Sequence, residues 1–97
     1  MPRVLFHAVH HPHPEHLEDL LGAMRRLNEL AVGIDGLEEI GAFHDADGGR
    51  VVAVSVWSSP EALQAGSAVL FAGVADLPLD RWESRPREVM TLPEVAR

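Results

Sequence analysis

The chain has 97 residues, of which 46 % are hydrophobic and 24 % charged, and its formal net charge is −7. This length and composition indicate one folded domain, residues 1–97, and argue against a disordered chain or an apolar run long enough to cross a bilayer. The acidic balance disfavours nucleic acid as a partner, and the absence of cysteine excludes disulfides, thiol catalysis and thiolate metal sites.

The amino-terminal part of the chain predicts a strand followed by a helix. Arg3 to His10 is rich in β-forming residues and apolar on both alternating faces, which is typical of a buried strand. Because His7 interrupts the apolar run after three residues, the run is too short for a secretory signal, and we expect a cytoplasmic protein. From Pro14 to about Ala31, leucines recur at three- and four-residue steps, a pattern that predicts an amphipathic helix.

A hairpin and a second helix follow. Leu37 to Asp45 and Arg50 to Trp57 predict two strands, joined by Asp-Gly and Gly-Gly residues that suit a tight turn. The segment WSSPEAL then predicts the start of a helix that fades between residues 68 and 74. Two caps are compatible with it, either Ser58 with Glu61 three residues later, or Ser59 with proline at the first helical position.

The last segment, Trp82 to Leu92, predicts a strand that lies at a sheet edge, because Pro86 cannot donate to a ladder. The order βαββαβ predicts an α+β, ferredoxin-like fold with a four-stranded antiparallel sheet and two helices on one face. The other face would present about 400 Å². Because the first and third strands are apolar on both sides, we predict that this face packs against its twin in a homodimer, giving a dimeric α/β barrel; the alternative is a monomer with an open apolar face.

Three segments carry a family likeness: the strand that ends in a polar residue, the Gly-Ile-Asp-Gly-Leu exit from the first helix, and VSVWSSPEAL, where a strand-terminal Trp meets a capped helix. Together they resemble the antibiotic biosynthesis monooxygenase family of dimeric α+β barrels, from Val4 to about Gly66. The resemblance implies a cofactor-independent monooxygenase-like protein, with no bound cofactor, that acts on a small hydrophobic aromatic or polyketide-like substrate between sheet and helices. The alternative is a non-catalytic barrel that binds a small apolar ligand.

The resemblance also implies candidate site residues. His7 matches a first-strand position at which haem-degrading relatives carry an Asn, and Trp57 matches the Trp that ends the third strand. If the helices cover both, His7 is the base that removes a phenol or enol proton and Trp57 is an aromatic wall of the same cavity. Leu21, Met24 and Arg85 are the further candidates for substrate binding, with Arg81 and Arg87 as other sources of a cation. The alternative is that His7 and Trp57 only pack in the core.

Five of the six histidines fall within residues 7–16. A zinc or nickel site needs three or four ligands that converge on one point. His10, His13 and His16 are spaced three apart but cross a strand end, two prolines and a helix start, and strand alternation sends His7 and His10 to opposite faces. We therefore expect no metal site and loop histidines that lie in solvent.

Overall fold

The structure, a computed structural model, describes residues 2–96. Its antiparallel sheet has the order β2-β3-β1-β4 and consists of β1 (Val4–His10), β2 (Leu37–Asp45), β3 (Arg50–Trp57) and β4 (Glu88–Pro93). The helices are α1 (Leu17–Leu30), α2 (Pro60–Ala72) and the short α3 (Leu79–Trp82). With α1 and α2 on one face of the sheet and β4 at its edge, the predicted ferredoxin-like α+β fold is confirmed.

The register between β1 and β3 decides which side chains face the helices. Val4 pairs with Trp57, and His7 pairs with Val54. Directly paired residues of an antiparallel sheet point to the same face, and successive residues alternate. Because Trp57 is buried against α1 and α2 residues, its face is the helix face, and His7 lies on the opposite face, which we call the bare face.

Local signals set the start of each long helix. The residues that precede α1, Pro14–His16, form a 3-10 turn, so the regular helix starts three residues later than predicted. The cap of α2 is Ser59, whose hydroxyl accepts a hydrogen bond of 3.1 Å from the Ala62 amide, which decides between the two predicted caps. The carbonyl oxygen of Gly36, a residue with a φ of 80°, accepts a hydrogen bond of 2.7 Å from the Ser58 amide and so fixes the loop beneath α2.

The boundary of β4 differs from the prediction of a strand from Trp82 to Leu92. Trp82 ends the helix α3, and β4 begins only at Glu88. The intervening residues pair instead with the segment that follows β1: the His13 amide donates to the Trp82 carbonyl at 2.8 Å, and the Ser84 amide donates to the His11 carbonyl at 2.7 Å. The segment that the sequence predicts as one strand is therefore divided into the end of helix α3, an irregular stretch that contains Pro86, and the strand β4.

Two groups of buried side chains join the helices to the sheet. One group contains Leu20, Met24 and Val51, and the other contains Ala31, Trp57 and Leu70. Within residues 2–96, no helix combines the length and the apolarity needed to cross a membrane.

The bare face is apolar over most of its area. Phe43 of β2 is 65 % exposed, and Met90 and Leu92 of β4 are 52 % and 45 % exposed. Its central strands contribute five aliphatic residues by the register: Leu5, Val9, Val52, Val54 and Val56. Exposed apolar area of this extent is typical of a surface that is covered in the working assembly.

Candidate functional site

A cavity of about 380 Å³ lies between the sheet and the helices. This volume falls within the range of about 300–1,000 Å³ that small-molecule sites usually have. Four of its lining residues are polar: His10, Ser55, Ser67 and Arg87. The other lining residues are Phe6, Ala8, Met24, Leu27, Ile40, Ala53, Val54, Trp57, Leu63, Leu70, Phe71, Val74, Leu79 and Val89. The cavity therefore suits an apolar molecule with few polar groups.

Trp57 forms a fixed wall of this cavity. Its side chain is only 1 % exposed, and its indole Nε1 donates a hydrogen bond of 2.8 Å to the Ser55 hydroxyl. On the other side, the ring lies against Gly66 of α2, so closely that a Cβ atom there would collide with the six-membered ring. The hydrogen bond and the close approach of the helix together hold the indole in one orientation.

The polar group of greatest chemical interest is His10, at the end of β1. Its Nδ1 lies 3.0 Å from Oε1 of Glu83. Both side chains are almost fully enclosed, with 6 % of the histidine and 2 % of the glutamate exposed. The second ring nitrogen, Nε2, has no hydrogen-bond partner among residues 2–96 and is the nitrogen left for the cavity that His10 lines.

Arg87 joins this pair at the boundary of the cavity. Its Nη2 lies 2.9 Å from Oε2 of Glu83 and 2.9 Å from Oδ1 of Asp80, and the hydrogen bond of good geometry goes to Asp80. Asp80 is 99 % exposed, so Arg87 links a buried carboxylate to one in solvent. Arg87 also borders a neighbouring surface pocket of about 580 Å³, which Arg85 lines.

Burial lowers the pKa of the His10 imidazole below its ordinary value. The charge and hydrogen bond of Glu83 oppose this shift, whereas Arg87 and His11 add to it. His10 is therefore neutral near pH 7. A neutral imidazole carries its proton on one nitrogen and a lone pair on the other, so a carboxylate that accepts a hydrogen bond from Nδ1 would leave the lone pair on Nε2. The arrangement presents a neutral base to an apolar cavity.

The residues predicted from the sequence fall in three places. Trp57 and Met24 line the cavity, and their assignment as substrate-binding residues stays a prediction. Leu21 packs at the edge of the core group around Leu20 and does not line the cavity. Arg85 lies in the neighbouring surface pocket, where its Nη2 donates to Nδ1 of His11 at 3.1 Å, and Arg87 is the arginine that reaches the cavity.

The expectation that His7 and Trp57 share a cavity is wrong. His7 pairs with Val54 and Met90 and lies on the bare face, where its Nδ1 is buried and has no hydrogen-bond partner among residues 2–96. The physical reason is strand parity, because His7 is three residues from Val4, the partner of Trp57. His10, an even number of residues further from Val4, faces the cavity. The assignment of His7 as a base stays a prediction, without support from its position.

The other histidines near the amino terminus do not form a metal-binding cluster in the part of the chain that the structure describes. Contrary to the expectation of solvated loop residues, His10 and His11 are both buried, because the paired segment at Trp82 to Ser84 covers them. His16 contacts Asp19 at 3.0 Å and stacks on Trp82. Within residues 2–96, no group of three or more His, Cys, Asp or Glu side chains is placed to hold a metal ion.

Comparison with solved structures places this fold among known ones. The chain superposes on the protein Rv0793 of Mycobacterium tuberculosis with a TM-score of 0.86 and 21 % identity, covering 98 % of this chain and 97 % of that one. It superposes on an antibiotic biosynthesis monooxygenase with a TM-score of 0.80 and 19 % identity, covering 96 % and 99 %. A protein of Nitrosomonas europaea that is provisionally named an antibiotic biosynthesis monooxygenase superposes with a TM-score of 0.76 and 16 % identity, covering 96 % of this chain and 99 % of that one.

No protein-family model matches the chain, and no curated protein matches it. Likeness at identities near 20 % establishes a shared fold. The chain therefore has the antibiotic biosynthesis monooxygenase fold, as its sequence resemblance predicted.

Proposed function

We propose that this protein is a cofactor-independent monooxygenase-like enzyme that acts on a small hydrophobic aromatic or polyketide-like substrate in the cavity, with His10 as its base. The observation that carries the proposal is the buried His10, tied through Nδ1 to Glu83 at 3.0 Å at the edge of an otherwise apolar cavity of about 380 Å³. Enclosing a carboxylate beside this histidine costs free energy, and buried pairs of this kind are concentrated at functional sites.

The chemistry follows from what such a cavity can do. Nε2 of His10 removes a proton from an acidic phenol, enol or activated methylene, and the resulting anion is electron-rich. The anion transfers one electron to O₂, and the radical pair then forms a carbon–oxygen bond. The resulting peroxide anion takes the proton back from His10 to give a hydroperoxide. Loss of water from the hydroperoxide converts the CH₂ group into C=O. One oxygen atom remains in the product, the other leaves as water, and the substrate supplies all the electrons.

The apolar walls contribute to this chemistry. Trp57 and Met24 exclude water from the anion, which strengthens its interactions with the remaining polar groups. Arg87, at the boundary of the cavity, supplies a positive charge towards which an oxyanion of the substrate can point.

We propose further that the working unit is a homodimer joined through the bare face. The apolar residues of that face, among them Phe43, Met90 and Leu92, support this assembly, because a two-layer sheet interface would remove them from water.

The function is tested by comparing the two histidines of β1. Oxygen uptake with an anthrone-type substrate is measured for the wild type, His10→Gln and His7→Gln, and the rate of spontaneous oxidation in buffer is subtracted. We expect His10→Gln to lose about 10²- to 10⁴-fold in rate, the usual contribution of a general base, and His7→Gln to keep its rate. Loss in His7→Gln with retention in His10→Gln would make His7 the base instead.

A second function, binding of a small apolar ligand without turnover, is favoured by the apolar lining itself. In that case no variant consumes oxygen above the buffer rate. The ligand should still quench the fluorescence of Trp57, which can be observed alone after Trp82→Phe because the chain has only two Trp residues.

A further inference from the structure

We infer that Glu83 is a positioning residue that holds His10 in the tautomer with an unprotonated Nε2 towards the cavity. The inference rests on the proposed role of His10 as base, and it assigns a task to a residue 73 positions away in the chain. The sequence gives no local sign of this pair.

The backbone fixes Glu83 on both of its sides. Its neighbours Trp82 and Ser84 accept from and donate to the backbone of His13 and His11 at 2.8 and 2.7 Å, and Glu83 itself forms an isolated bridge with Pro12. A short antiparallel backbone pairing therefore holds the Glu83 carboxylate beside His10. A group held in this way can impose one orientation on the imidazole.

The enclosure of the pair makes the orientation matter. The chain has a second histidine–carboxylate contact of the same length, between His16 and Asp19, but that pair is on the surface, where water can satisfy either ring nitrogen. At His10 water is largely excluded, so the tautomer is set by the protein groups in contact. The titratable groups that act on His10 are Glu83, Arg87 and His11, and the cavity-lining residues of α1 and α2 carry no charge.

Arg87 determines how the side-chain amide would be oriented in the variant Glu83→Gln. In Glu83→Gln, the side-chain carbonyl oxygen would turn to Arg87, which can only donate hydrogen bonds, since Nη2 lies 2.9 Å from the present Oε2. The amide NH₂ would then face His10 and donate to Nδ1. His10 would have to carry its proton on Nε2, the nitrogen that the base function needs free.

The tautomer is measured by ¹H–¹⁵N NMR of the histidine rings, with His10→Gln to assign the signals. We expect His10 of the wild type to be protonated at Nδ1, and Glu83→Gln to move the proton to Nε2. Asp19→Asn is the matched control and should leave the His10 signals unchanged. A wild-type His10 protonated at Nε2, or an unchanged tautomer in Glu83→Gln, would overturn the inference. The wild-type spectrum decides by itself if Glu83→Gln does not fold.

Kinetics provide the second readout. With an anthrone-type substrate we expect Glu83→Gln to lower kcat by about 100-fold or more with little change in KM, and Glu83→Asp to recover most of the rate because it restores an acceptor. Equal rates for wild type and Glu83→Gln would count against the positioning role. If the wild type shows no turnover at all, the proposed function fails, while the NMR result still decides whether Glu83 sets the tautomer.

Discussion

Replacing Gly66 with alanine probes the rigidity of the indole wall. Gly66 lies in the interior of α2, where glycine costs about 1 kcal/mol relative to alanine. An added Cβ atom would collide with the six-membered ring of Trp57 and lie 3.0 Å from Cγ2 of Ile34. Whether Gly66→Ala raises or lowers the free energy of unfolding therefore depends on whether the ring can move away.

The structure indicates that the ring cannot move without loss. Overpacking of this kind costs about 1–3 kcal/mol. Displacement of the indole would also break the Trp57–Ser55 hydrogen bond of 2.8 Å, whose net contribution is about 0.5–1.5 kcal/mol. Against these stands the gain of about 1 kcal/mol in helix propensity. We expect a net destabilisation of about 1–3 kcal/mol.

Gly22 of α1 supplies the matched control. It also lies within a helix, but a Cβ atom added there would meet nothing within 4 Å. Gly22→Ala should therefore raise the free energy of unfolding by up to about 1 kcal/mol. Urea unfolding at one fixed protein concentration measures both variants, because association would otherwise shift the midpoints. An increase of similar size in the free energy of unfolding of Gly66→Ala would refute the inference that the indole of Trp57 is fixed.

Two further predictions concern titration and assembly. Because burial lowers the pKa of His10, the unfolded chain binds a proton below about pH 6.5 that the folded chain does not, so the free energy of unfolding should fall as the pH is lowered through about 6.5. His10→Gln should flatten this part of the profile in urea unfolding, and equal slopes would contradict the reasoning. Met90→Lys, on the bare face, should reduce the mass measured by light scattering from that of two chains to that of one. Val69→Lys, at a 59 % exposed position of α2 away from the bare face, should not change it.

Sequence patterns were sufficient to predict the four strands, the two long helices and their order. The bounds of β2 and β3 agree with prediction because each strand is flanked by turn residues and rich in β-formers. The secondary structure between α2 and β4 was harder to predict. The helix from Leu79 to Trp82 is a single turn, which is too short for a helical period to be visible in the sequence. The contact between Glu83 and His10 depends on this irregular segment, which is why no sequence pattern indicated it.

The expectation that His7 shares a cavity with Trp57 was wrong for a different reason, which is strand parity. When one side of a strand is polar, the polar residues reveal which side chains face the core, but β1 is apolar on both sides and gives no such sign. The register supplies the parity that the sequence lacks: Trp57 is buried and pairs with Val4, and counting from Val4 by twos reaches His10 and passes over His7. The same two-sided apolarity that hides the parity also leaves Leu5 and Val9 on the bare face beside His7. A side of the sheet that is built like a core but carries no helices is expected to be covered by a second layer, and the homodimer proposed above would supply one of matching shape and chemistry.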